Sequence, residues 1–321
     1  MSSLPWREAW QAALYGPDGF YRAEPGPVGH FTTSTHGPLG AVFAEAIAAL
    51  ADREGATHVV DVGAGRGELL VALHRGRPDL DLTGVDVVDR PTALPGSVRW
   101  LVSPGGAELP TDLVDLDGVL VVAHEWLDVV PCTIVEVLDD GTPRTVSVDA
   151  GARTESLVGE LSPKDAAWCA AHWPMDGMPR RGHRVEVGLA RDRAWSDLVS
   201  RVRRGTLLAV DYGHTRDTRP PSGTLVGYRD GTAVPALPDG TCDLTAHVAV
   251  DSLEQDERWT QREALHRLLG RPGVPDHALA TTDPAAYVAG LARAGALRAL
   301  TAPGGLGDFH WVVRRCGRLT G

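Results

Sequence analysis

The chain has 321 residues, 43% of them hydrophobic and 23% charged, which is ample material for about two globular domains or one α/β domain with insertions. Its formal net charge of −11 argues against broad nucleic-acid binding, which depends on neutralising phosphates. The cysteines Cys132, Cys169, Cys242 and Cys316 are scattered with no CxxC pair, so reduced thiols are expected rather than a disulfide framework or a zinc site.

Residues 4–15 carry apolar positions at helical spacing, and charged Arg7 and Glu8 leave no apolar core for a signal peptide. The turn-rich stretch 16–37 holds Phe20, Tyr21, His30 and Phe31, aromatics that point to an ordered loop covering something. Pro38 then opens a helix with a stripe of Leu39, Val42, Phe43, Ala46, Ile47 and Leu50. The apolar run 39–51 contains Glu45 and is too short to span a bilayer, so a cytoplasmic protein without membrane partners is expected.

Val59, Val60 and Val62 form a buried parallel strand that stops at Gly63-Ala64-Gly65-Arg66-Gly67, after which Leu69, Leu70 and Leu73 recur at helical spacing. Further strands are expected at 80–86, 98–102, 117–123 and 205–211. Their alternation with helices predicts an α/β protein with a mostly parallel, doubly wound sheet. Residues 133–138 and 144–149 read as a hairpin, and 150–204 as short strands and helices inserted between two core strands. Helices are expected near 259–270 and 283–294, and strands at 296–302 and 309–315 as an antiparallel edge pair. The reading divides the chain into an N-terminal segment and covering loop (1–57), a core (58–132 and 205–321) and an inserted α+β region (133–204) on the substrate side.

A glycine-rich turn between strand and helix lets backbone approach a nucleotide-like cofactor. The dinucleotide fingerprint GxGxxG would place its third glycine at position 68, where this chain has Glu68. A glutamate there repels a pyrophosphate, whereas S-adenosylmethionine has no phosphate and carries a cationic amine and sulfonium. The methyl donor is therefore favoured over a nicotinamide cofactor, with Asp86 at the next strand end placed for a ribose diol.

His124-Glu125-Trp126-Leu127-Asp128 lacks the second histidine of a zinc motif, and no metal is expected. Glu125 and Asp128, three apart, can share one face of a helical turn, or Asp128 can cap a following helix. Asp211, Tyr212, Asp243, Thr245 and His247 fall at or after another strand end, and the basic runs 179–184 and 201–204 read as solvated faces.

The segments ALYGPDGFY and GHFTTSTHGPLGAVFAEAI resemble the N-terminal signature of the MidA-like methyltransferases, a family that includes a mitochondrial complex I assembly factor acting on protein arginine. The likeness continues in order through VVDVGAGRGELL, HEWLDVVP, LLAVDYG, GTLVGYR and GTCDLTAHV, over roughly residues 12–270. It implies a Rossmann-like class I methyltransferase fold, S-adenosyl-L-methionine as cofactor, and methylation of a protein arginine or another nitrogen or oxygen acceptor. The acceptor is a protein, peptide or small molecule, not a nucleic acid. Phe31, Thr33, Gly63, Gly65, Gly67, Asp86, Ser103 and Glu125 are then expected at the cofactor, and Glu125, Asp128, Asp211, Tyr212 and His247 at the reacting centre. This chain departs from the family pattern at His30 and His36, where acids are usual, and at His124, where asparagine is usual. A methyltransferase-like assembly protein without turnover is the alternative these departures leave open.

Overall fold

In the computed structural model, residues 3–22, 34–35, 37–173 and 182–317 are described. A seven-stranded sheet forms the core, from β1 (His58–Val62), β2 (Asp81–Asp86), β3 (Arg99–Val102), β4 (Leu116–His124), β5 (Val202–Asp211), β6 (Glu257–Thr260) and β7 (His310–Cys316). Its order is β6-β7-β5-β4-β1-β2-β3, with β7 antiparallel to both neighbours and every other pairing parallel.

Both faces of this sheet are covered, which is why its strands read as near-continuous apolar runs. On β4, Leu120 and Val122 pack into one layer with Phe43, Ile47 and Leu50 of the helix Gly37–Glu54. Val119, Val121 and Ala123 point the other way, onto Trp195 and Leu198 of the 189–200 helix. The strand tips stay in register, with Val62 opposite both Val85 and Ala123, and His124 opposite Val210. Strand order reverses beside β1, so a crevice opens beyond the carboxyl ends of β1, β2 and β4 where open α/β sheets bind ligands.

The hairpin forms as expected, from Thr133–Val137 and Pro143–Asp149, and joins an antiparallel second sheet with His183–Val187 and Thr154–Leu157. Leu4–Pro5 adds a short edge to it. Between β5 and β6, Val226–Arg229 pairs with Thr232–Val234 and Asp243–Thr245 in a third, small sheet.

Two expectations are corrected. Residues 296–302 are not a strand: the helix Pro284–Leu300 runs through most of them, with Ala294, Leu297 and Leu300 buried at three-residue spacing. A short apolar run such as Ala-Leu-Arg-Ala-Leu fits either state, and here the preceding helix extends into it. The antiparallel partner of β7 on its outer side is instead β6, which ends where Thr260 and Glu263 form a capping box and start the helix Gln261–Leu269. Likewise no helix follows β4. Residues 127–130 form a turn closed by Val130 N–H to Leu127 O, so Glu125 and Asp128 do not share a helical face and Asp128 caps no helix.

Among the described residues no helix is long and apolar enough to cross a membrane, and no group of three or more His, Cys, Asp or Glu side chains could hold a metal ion.

Candidate active site

A cleft of about 670 Å³ opens at the crevice, lined by the glycine loop, the end of β2, the loop after β3, the turn after β4, and Tyr15 and Tyr21 from the N-terminal segment. Gly63 and Gly65 have φ of 75° and 58°, the left-handed region that glycine enters at little cost. A side chain at Gly65 would grow from the cleft wall, where among the described residues Glu68 Oε2 stands within 4 Å, at 3.5 Å. Gly67 also has positive φ but does not line the cleft. A Cβ there would lie 2.5 Å from Leu94, so Gly67 serves close packing at the helix start.

The loop's amides are already engaged by the protein's own acids. Gly65 N–H donates to Asp86 Oδ2 at 2.8 Å and Arg66 N–H to Glu68 Oε2 at 3.2 Å. Gly63 and Ala64 N–H groups both donate to Val85 O. A pyrophosphate would therefore meet two carboxylates where a dinucleotide site presents free amides. A cofactor without phosphate and with cationic groups fits this loop.

Asp61 of β1 is 3% exposed and faces the cleft without a hydrogen-bond partner among the described residues. Burial, and then the neighbouring Asp86 and Glu68, push its carboxyl up to about 8. Such a group is an orphan that an ammonium would satisfy. Asp86 is raised less, to about 6, because the Gly65, Val88 and Val87 amides offset its burial. Ser103 lines the far end of the cleft and braces its own loop, donating to Glu108 O at 2.7 Å.

Glu125 closes the opposite end. Its backbone has φ of 50°, unusual for a side-chain-bearing residue, and its N–H donates to Val210 O at 2.9 Å. Glu125 Oε1 accepts no hydrogen bond among the described residues and lies 3.2 Å from His124 Nε2. Burial, followed by Asp128 and Asp243, raises its carboxyl well above the usual range. Trp126 lines the cleft beside it, with its Cβ 3.3 Å from the position a side chain at Gly63 would take.

Gly63, Gly65, Asp86, Ser103 and Glu125 are thus brought together as expected at one cleft, whereas Phe31 and Thr33, like His30 and His36, lie outside the described residues. Asp128, Asp211, Tyr212 and His247 do not line it. Asp128 is 3% exposed, and its Oδ2 accepts from the Tyr212 hydroxyl in a short contact and from Thr245 Oγ1 at 2.5 Å. Asp211 Oδ2 accepts from the Leu127 and Asp128 amides at 3.1 and 3.2 Å. His247 is exposed, its ring edge-on to Tyr212 with centroids 5.1 Å apart. Asp128, Asp211 and Tyr212 build the support behind Glu125 rather than the cleft surface, and His247 lies outside it against Tyr212. Tyr21 comes from the stretch 16–37 expected as a covering loop, whereas Asp61, Tyr15 and Trp126 had no place assigned at the cleft. An acid inside an apolar strand directly before GxG is a legible signal for Asp61, while Tyr15, the last residue of the helix Trp6–Tyr15, carries none.

Comparison with known proteins agrees with this geometry. Residues 78–266, more than half the chain, match the family model described as "Putative S-adenosyl-L-methionine-dependent methyltransferase". No curated protein matches the chain. A crystal structure of a Burkholderia thailandensis protein bound to S-adenosyl-homocysteine superimposes with a TM-score of 0.74 at 24% identity, covering 98% of this chain and 88% of that one. The native crystal structure of a protein from the same organism gives 0.73 at 24% identity with the same coverage. These likenesses show the shared class I methyltransferase fold. The chain belongs to this family, MidA-like in its motifs, and is an S-adenosyl-L-methionine-dependent methyltransferase.

Proposed function

We propose that this methyltransferase acts on a cationic nitrogen acceptor, a protein arginine in the first instance, and that Glu125 meets it. The observation that carries this reading is Glu125 itself: a carboxylate on the cleft wall, held by a left-handed backbone, with Oε1 free of hydrogen bonds among the described residues. A buried acid beside Asp128 and Asp243 is satisfied by a cation. Asp61 offers a second such place, and we assign it to the ammonium of the cofactor, with Asp86 and Ser103 on the adenosine side. Glu125 then remains for the acceptor.

The cofactor supplies an electrophilic methyl on sulfonium. The residues here must hold the nucleophile in line, exclude water and take a proton. Glu125 fixes the guanidinium by charge-assisted hydrogen bonds and accepts its proton as the nitrogen lone pair forms the new N–C bond and the C–S pair returns to sulfur. Tyr15 and Tyr21 wall the cleft, with Tyr15 anchored through its hydroxyl to Val129 O at 3.1 Å. All four cysteines are free thiols, which supports action in the cytoplasm.

The test is methyl transfer from radiolabelled S-adenosylmethionine into a cell lysate, followed by acid hydrolysis and amino-acid analysis of the labelled protein. Label in methylarginine, lost in Glu125→Gln while cofactor affinity changes little, is the expected result. Label confined to small molecules, or full turnover by Glu125→Gln, would sink the reading.

A further inference from the structure

We propose that Asp211 is a positioning residue: its carboxylate fastens the turn after β4 and so keeps Glu125 in the backbone conformation that presents it to the cleft. Asp211 is the last residue of β5, and β4 ends alongside it, with His124 opposite Val210. Only 1% of Asp211 is exposed; its Oδ2 is hydrogen-bonded and its Oδ1 is buried with no hydrogen-bond partner among the described residues. One oxygen takes both available turn amides, Leu127 N–H at 3.1 Å and Asp128 N–H at 3.2 Å, while Glu125 N–H is held by Val210 O at 2.9 Å. Two adjacent residues of β5 thus grip both sides of Trp126. Between the grips the chain makes its one left-handed step, at Glu125, with φ of 50°. A left-handed conformation is unfavourable for a residue with a side chain, so it persists only where its surroundings enforce it. The same turn seats Trp126 against Gly63 of the glycine loop, so the grip reaches the cofactor end of the cleft as well.

The grip also has an electrostatic side. Asp128, Glu125 and the cation Arg191 act on Asp211, and Tyr212 follows it in the chain. Asp128 and Asp243 act on Glu125, which also faces His124 Nε2 at 3.2 Å. Burial, then Asp128 and Glu125, raise the Asp211 carboxyl well above the usual range, with Arg191 working against them.

This inference rests on the proposed role of Glu125, but its test uses binding rather than turnover. S-adenosylhomocysteine is titrated by calorimetry into the full chain carrying Asp211→Asn or Asp211→Ala, with thermal unfolding as the folding control. The asparagine amide oxygen can still accept the two N–H groups, so Asp211→Asn is expected to bind within about threefold of the parent. Asp211→Ala frees the turn and is expected to weaken binding about tenfold or more. Asp211→Asn alone keeps the inference testable if the alanine variant does not fold. Parent-like binding by folded Asp211→Ala, or binding weakened about tenfold or more in folded Asp211→Asn, which keeps the acceptor oxygen, would overturn the inference. Failure of the Glu125 reading shows separately, as undiminished turnover by Glu125→Gln.

Discussion

The Tyr21 hydroxyl donates to Asp243 Oδ1 at 2.6 Å, joining a wall of the cleft to the third sheet across 222 residues of chain. Asp243 is 2% exposed, and its carboxyl is pushed up to about 8 by burial, against which the Tyr21 hydrogen bond works. Trp10 Nε1–H, donating to Leu244 O at 3.1 Å, fixes the N-terminal helix to the same strand. The N-terminal segment is therefore an integral part of the site.

Tyr21→Phe is expected to destabilise the protein by about 1–3 kcal/mol, since it leaves a buried acid short of a donor. The loss should be larger at pH 9, where Asp243 is ionised in the parent, than at pH 6, where it holds its proton. Urea unfolding at the two pH values measures this, and an equal loss at both would show that the bond does not stabilise the ionised form.

The glycines of the loop separate by role. Gly65→Val places a branched side chain on the cleft wall and is expected to eliminate S-adenosylmethionine binding while the chain remains folded. Gly67→Ala instead drives a Cβ to 2.5 Å from Leu94 at φ of 81° and is expected to cost about 1–3 kcal/mol of stability. Paired calorimetry and urea unfolding distinguish the two, and a Gly65→Val chain that binds the cofactor normally would exclude the loop as its site.

What was legible in the sequence follows the same division. Strand ends, glycine turn and the acid at Asp86 are properties of local pattern, and the cleft assembles from them because strand register carries Val62, Val85 and Ala123 to one edge. Proximity of Asp128, Asp211 and Tyr212 to that edge was also readable. The direction of Asp128 was not, because it depends on one left-handed residue, Glu125, that turns its own side chain to the cleft and leaves Asp128 behind it. No spacing rule encodes that step. The 296–302 error has a different origin: a short apolar run is compatible with both periods until its neighbours are known.

Asp61 links cofactor binding to protons. Its carboxyl stands at about 8 in the folded chain, so at pH 7 it is largely protonated, and an ammonium placed against it would draw the proton off. Binding of S-adenosylmethionine at pH 7 is expected to release a fraction of a proton, seen as a dependence of the binding enthalpy on the ionisation enthalpy of the buffer. In the unfolded chain the group returns to its usual value near 3.8, below its folded value. Its contribution to stability is thus complete below about pH 4 and is lost as pH rises through about 8. Asp61→Asn should gain stability relative to the parent across that window and lose cofactor affinity. Buffer-independent enthalpies would remove Asp61 from the ammonium site.

Arg191 is the remaining element of the support and the one most costly to remove. It is 1% exposed, and its guanidinium donates to three backbone carbonyls: Val130 O at 3.1 Å, His247 O at 2.8 Å and Asp128 O at 2.7 Å. It thereby ties the turn after β4 to the segment leading out of the third sheet, and its charge is felt by Asp128 and Asp211. Arg191→Met keeps much of the volume but strips three charged donors and leaves those acids without their cation. A loss of about 3–5 kcal/mol is expected, with Asp128 and Asp211 driven further toward their protonated forms. Arg191→Lys, a single point charge without the planar fork, cannot span the three carbonyls and should recover only part of the loss. Urea unfolding at pH 6 and pH 8 tests both parts: the Arg191→Met deficit should widen at the higher pH, where the parent's cation offsets ionisation of the acids and the variant has nothing in its place. A deficit under 1 kcal/mol, or one that does not change with pH, would show that Arg191 neither organises the turn nor balances the charge behind Glu125.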